Sequence, residues 1–288
     1  LEEDAVGARK SHNDGNGIML SRSRITACIA LIMSVLILYA CILGVFKDSI
    51  YQDVLKAGAM TEFLIVGSRA QDMVFQPLAV LLLLLSIIYL RRPGFKLLIL
   101  IIGLCSNFFY GYALYVMQGQ YTSIYLVYLA IFSLSIYAII LGLLSFTGEF
   151  AVKTSLSNGL RRSISIFLYS IVFMLGLIWF IRISPDITRH IPQDSYGVFI
   201  LDLGIVFPAF AISATMLMLR KPYGNLFVGV SLVKAFTVCL SWGFAELYNR
   251  VYGVVNGSYE LLLIPGVITL VSLVFLILYM KDLKGNTR

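Results

Sequence analysis

Eight runs of apolar residues, each about long enough to cross a bilayer and separated by short polar loops, constrain this chain more than anything else in it. A helix needs about 20 apolar residues to cross the hydrocarbon core. By that measure the sequence predicts spans at 25–46, 73–90, 97–117, 124–146, 163–183, 198–219, 226–248 and 261–280. Lipid offers no hydrogen-bond partner, so each span must satisfy its own backbone, which dictates helices. A transmembrane barrel is excluded. Its strands would alternate apolar and polar residues, whereas 81–85 and 97–102 are unbroken apolar runs. The expected fold class is therefore all-α: a polytopic bundle of eight spans. It forms a single domain over 25–280, with an N-terminal segment at 1–24, an outer loop at 47–72 and a tail at 281–288.

The chain is 59% hydrophobic and 13% charged, against roughly 45–50% and 25% in soluble domains. Its net charge of +7 could suggest nucleic acid, but the basic residues sort by side of the membrane. One set of loops carries Arg22, Arg24, Arg91, Arg92, Lys96, Lys153, Arg161, Arg162, Arg220, Lys221, Lys281, Lys284 and Arg288. The opposite set carries only Lys47, Lys56, Arg69, Arg182, Arg189 and Arg250, with acids nearby. By the positive-inside rule both termini are expected in the cytoplasm, which implies a multi-pass protein of the cytoplasmic membrane. The expected partners are the lipid bilayer and a small-molecule or ion ligand, with no nucleic acid; protein partners are left open.

Cys28, Cys41, Cys105 and Cys239 all fall within predicted spans and read as small packing residues rather than a disulfide framework. His12 and His190 lie outside the spans, so no metal site or cofactor is indicated. Residues 1–18 are polar and Gly-rich, and disorder is expected there. Met19 offers an alternative start, which would make the preceding residues extraneous.

Two cytoplasmic turns, Arg91-Arg92-Pro93-Gly94 and Lys221-Pro222-Tyr223-Gly224, combine Pro with Gly and should make tight helical hairpins. Each joins an even-numbered span to the next, which raises a four-plus-four internal repeat. The outer loop is unusually apolar, with Ile50, Leu55, Met60, Phe63, Leu64, Ile65 and Val66, and should contain a short amphipathic helix leading into the second span.

An ionisable side chain at membrane depth costs roughly 2.5–3.5 kcal/mol on insertion scales, so each one invites a functional explanation. Asp202, about one turn inside the sixth span, and Lys234, near the middle of the seventh, are the clearest cases. Counting from the turn they share, their depths differ by roughly 13 Å at 1.5 Å per residue. That leaves a direct ion pair and a bridge through water or tyrosine as alternatives. Asp72 and Gln76 open the second span one turn apart, and Pro77 follows. Gly103, Asn107 and Gly111 form a small-residue stripe on the third span, where another helix can come close. Tyr110, Tyr112, Tyr115, Tyr121, Tyr125 and Tyr128 continue outward, and Glu246 closes the seventh span. Tyrosines at span ends commonly form the aromatic belt, the expectation for Tyr115, Tyr121 and Tyr125. Asp72 and Glu246 lie near enough to water to be merely solvated. A retinal Schiff base on Lys234 fits the chemistry but not the number of spans.

HExxH, GxSxG and P-loop patterns are absent, and Asn256-Gly257-Ser258 is a formal glycosylation acceptor. The segments SRAQDMVFQPLAVLLLLLSIIYL, NFFYGYALYVM, YLVYLAIFSLSIYAII, LDLGIVFPAF and LVKAF resemble a family of eight-helix prokaryotic integral membrane proteins of unknown function. The resemblance implies the fold and no activity.

The expectation for function is an outward-facing polar cavity that binds a small molecule or ion, for transport or sensing, through Asp72, Gln76, Asn107, Tyr110, Asp202 and Lys234. The competing classes are a membrane enzyme acting on a lipid or quinone, with Asp202 or Glu246 as acid or base, and a structural subunit of a larger complex. The lack of a nucleophile or metal site weighs against the enzyme, and no residue is assigned a catalytic role.

Overall fold

The computed structural model describes residues 23–147, 150, 154–252 and 260–285. The segment 1–22 and the Asn256-Gly257-Ser258 acceptor lie outside the described residues. Ser23 and Arg24, expected to belong to the N-terminal segment, begin the first helix.

Nine helices are present among the described residues: α1 (Ser23–Phe46), α2 (Ser49–Lys56), α3 (Glu62–Arg91), α4 (Phe95–Met117), α5 (Tyr125–Leu144), α6 (Asn158–Arg189), α7 (Tyr196–Met218), α8 (Gly224–Val251) and α9 (Glu260–Asp282). All except α2 are long and apolar enough to span a membrane. The chain is a multi-pass, all-α membrane protein. Its outer surface agrees, since large apolar side chains such as Leu126, Leu144, Phe173 and Phe180 are exposed around the bundle where lipid would cover them.

The expected loop at 47–72 is mostly helix. α3 starts at Glu62, more than two turns before its apolar run, and at 30 residues it is about 45 Å long, well over the roughly 30 Å of a hydrocarbon core. The polar residues Arg69, Gln71 and Asp72 conceal this extension in the sequence. The amphipathic helix expected in the loop is α2, which buries Ile50, Tyr51 and Val54 on one face.

Starts and ends of spans meet at one end of the bundle, here termed the terminal face. Lys96 Nζ donates to the carbonyl of Met280 at 2.6 Å, and Tyr279 donates to the carbonyl of Asn225 at 2.7 Å. The backbone N–H of Ser157 donates to Asp282 at 2.7 Å. A two-residue ribbon pairs β1 (Thr154–Ser155) antiparallel with β2 (Lys284–Gly285) at the same end. The opposite end, the loop face, is joined by Gln118 donating to the carbonyl of Asp194 and Tyr196 donating to that of Met117.

Spans α1, α3, α4 and α5 pack in a ring, and α6 to α9 pack in a second ring with the same order of neighbours. The rings join where α8 lies against α3 and α4. In each ring the second span carries one buried aspartate followed within two turns by a proline: Asp72 and Pro77 in α3, Asp202 and Pro208 in α7. The small-residue stripe of α4 serves two neighbours rather than one. A Cβ on Gly103 would run into Val233 of α8, and one on Gly111 into Phe75 of α3. At the α7–α8 hairpin, a Cβ on Gly224 would lie 2.8 Å from the carbonyl of Met216, so the tight turn requires glycine there.

Candidate functional site

The junction of the two rings is not closed. A cavity of ≈ 250 Å³ lies between α3, α4, α6, α7 and α8. Its wall extends from Gln118, Gln120 and Ser195 in the loops of the loop face down to Ile171 and Phe210 within the spans. Most of the wall is apolar and aromatic, and both tryptophans of the chain, Trp179 and Trp242, belong to it. Their rings lie 5.9 Å apart, and Phe199 stands edge-on to Trp179 at 5.4 Å.

Asp202 is one of two acids in this wall, the other being Glu246, and is 7% exposed. The fold places it at the start of a widened turn. Pro208 has no N–H to give to the carbonyl one turn back, and α7 accommodates it by running as a π-helix over Asp202–Val206. The Phe207 N–H accordingly reaches back to the carbonyl of Asp202. The Asp202 carboxylate accepts a hydrogen bond from Trp179 Nε1 at 2.7 Å, and the Tyr110 hydroxyl faces it.

Asp202 and Lys234 form no ion pair. Lys234 Nζ lies 4.0 Å from the centre of the Tyr110 ring and donates to the carbonyl of Ser106 at 3.1 Å. Of the two alternatives raised by depth, the tyrosine is therefore the link. Lys234 is buried and does not line the cavity. Asn107, 1% exposed, does line it, and its amide nitrogen has no hydrogen-bond partner among the described residues. The same holds for the amide nitrogen of Gln71, a neighbour on the wall. At the loop face Glu246 lines the cavity while paired with Arg250 at 2.9 Å, and Arg182 lies 5.6 Å over the ring of Trp179.

No protein-family model, curated protein or solved structure matches the chain. The multi-pass membrane bundle is what the sequence and structure establish, without support from a relative.

Asp72, Gln76 and Lys234 stand behind the wall rather than in it, while Asn107, Tyr110 and Asp202 line the cavity. Asp72 is buried rather than solvated, 1% exposed. It accepts hydrogen bonds from Tyr51 of α2 at 2.6 Å and Tyr115 of α4 at 3.0 Å. Burial and the neighbouring carboxylate hold the Tyr51 phenol well above its usual pKa, so it stays a donor. Gln76 donates to the carbonyl of Cys41 at 3.4 Å. Tyr115 is a core residue and not part of an aromatic belt, because its hydroxyl is held by Asp72 and the carbonyl of Ser68. Tyr121 is exposed and stacks on Tyr125. Trp179 and Trp242 are not legible as site residues in the sequence, since a tryptophan within an apolar run reads as one more apolar residue.

Proposed function

We propose that this protein lies in the cytoplasmic membrane with both termini in the cytoplasm, and that its cavity opens outward and binds a small molecule or ion for transport or sensing. The observation that carries the reading is the pairing, in one cavity, of two buried polar groups. Among the described residues, the Asp202 carboxylate has no ion-pair partner and the Asn107 amide nitrogen has no hydrogen-bond partner. Buried polar groups are costly unless satisfied, and a ligand would satisfy both. The location supports the same reading. Transporter sites commonly form where two helix sets meet, beside helices whose regular hydrogen bonding is interrupted. Here the rings meet at α8, and α7 is interrupted at Asp202. The asymmetry of basic residues supports the orientation.

The test is thermal unfolding of the purified protein across a panel of small molecules, ions and lipids. A ligand present at 100 times its Kd stabilises by about 2.7 kcal/mol. The expected result is a stabilising ligand whose effect, measured against each variant's own unliganded midpoint, is lost in Asp202→Asn and in Ala245→Trp, which adds bulk to the cavity wall. An unresponsive panel would count against the reading.

A further inference from the structure

The walls of the cavity say more about charge than about size. We infer that the cavity is built for an organic cation, an amine or quaternary ammonium on a small apolar body, with Asp202 as its counter-ion. This rests on the proposal that the cavity is a ligand site.

Three observations point the same way. Asp202 presents a carboxylate to the cavity with no Lys or Arg in ion-pairing distance among the described residues. An ionised carboxylate has about four acceptor positions; Trp179 occupies one and the Tyr110 hydroxyl faces the group, which leaves room for an amine N–H or for the charge of a quaternary ammonium. Lys234, the nearby cation, is engaged by the Ser106 carbonyl and the Tyr110 ring and is absent from the wall.

The rest of the wall is aromatic. Trp179, Trp242, Tyr110, Phe199 and Phe75 all face the cavity. Aromatic faces attract cations electrostatically, tryptophan most of all, and more strongly once water is excluded. The Arg182 guanidinium over Trp179 shows that this wall already accepts a cation at its exposed rim. The acid at the rim, Glu246, is paired with Arg250, which leaves Asp202 as the acid of the wall without an ion pair among the described residues. With ≈ 250 Å³, the space is at or below the roughly 300–1,000 Å³ of drug-sized sites, which suits a small monocation rather than a lipid.

The chain contains only Trp179 and Trp242, and both line the cavity, so intrinsic tryptophan emission reports its occupancy. The purified protein is titrated with three probes of nearly one shape and different charge: choline, the neutral 3,3-dimethylbutanol and the anionic 3,3-dimethylbutyrate. The expected result is a saturable emission change with choline at least tenfold tighter than with either of the others. Asp202→Asn should abolish that preference, and Lys234→Met should keep it. The charge comparison is made on the wild-type protein and holds even if a variant fails to fold. Equal binding of the neutral probe, or tighter binding of the anion, would overturn the cation assignment while leaving the ligand cavity standing. No response to any probe, alongside a stabilising ligand of another class in the thermal panel, would also overturn it. Silence in both experiments would remove the ligand cavity itself.

Discussion

Lys234 and Asp202 meet through Tyr110 and not through a salt bridge. The ammonium lies over the ring at 4.0 Å, and the hydroxyl of the same residue faces the carboxylate. An acid and a lysine buried on adjacent helices are thus held near each other without direct contact. That arrangement leaves the carboxylate available to the cavity.

It also sets the size of their energetic coupling. Breaking a direct buried ion pair costs about 3–5 kcal/mol. A double-mutant cycle with Asp202→Asn and Lys234→Met, read by thermal or chemical unfolding in detergent, should give a coupling below about 1 kcal/mol. A coupling near the value for a direct pair would show that the two residues clasp α7 to α8.

Tyr51 is predicted to be the main tie between α2 and the bundle, because its phenol donates to the buried Asp72 at 2.6 Å. A hydrogen bond is worth about 0.5–3 kcal/mol, the upper end applying to an ionised acceptor. Tyr51→Phe should therefore destabilise by that amount in unfolding experiments. In an Asp72→Asn background the same substitution should cost less than half as much.

Gly44 on α1 sits directly against that carboxylate. A Cβ placed there would collide with Asp72 Oδ2 and lie 3.1 Å from the Tyr51 hydroxyl. Overpacking of this kind typically costs about 1–3 kcal/mol. Gly44→Ala should lower the unfolding midpoint accordingly, whereas Gly159→Ala, in the first turn of α6 with open space around it, should be neutral or stabilising because alanine favours a helix over glycine. Equal effects would mean that α1 and α3 do not approach as closely as described.

The spans are legible in the sequence because hydrocarbon length and apolar continuity are one-dimensional properties, and the bilayer imposes both. Asp202 and Asn107 can be singled out by the same logic, as polar residues inside apolar runs. What the sequence does not supply is adjacency. Nothing in the periodicity of α8 says that it touches both α3 and α4, so the cavity at that junction is invisible there. The partners of Lys234 and Asp72 are hidden for related reasons. Lys234 uses a backbone carbonyl, which no residue type advertises, and Asp72 uses a tyrosine from a loop helix that folds back over the bundle. The polar start of α3 reads as loop because hydropathy reports the membrane, not the helix.

Orientation can be tested separately from ligand binding. Cys28 is exposed on α1 and Cys239 lines the cavity, whereas Cys41 and Cys105 are buried away from it, so a protein carrying Cys28→Ala and Cys239→Ala offers a quiet background for labelling. Ser123→Cys at the loop face should react with an impermeant thiol reagent in intact cells. Ser155→Cys at the terminal face should react only after the membrane is opened. The reverse pattern would invert the proposed topology.

The most direct test of an outward-open cavity is whether water and solutes reach its buried wall from the loop face. Ser241 of α8 lines the cavity and is 8% exposed, and its hydroxyl donates within its own helix, to the carbonyl of Thr237. Ser241→Cys, in the Cys28→Ala, Cys239→Ala background, should be modified by an impermeant methanethiosulfonate applied to the outside of intact cells, and filling the mouth with Ala245→Trp should block that reaction. If the thiol introduced by Ser241→Cys reacts only from the terminal face, or only after unfolding, the cavity does not open outward and the proposed function is contradicted.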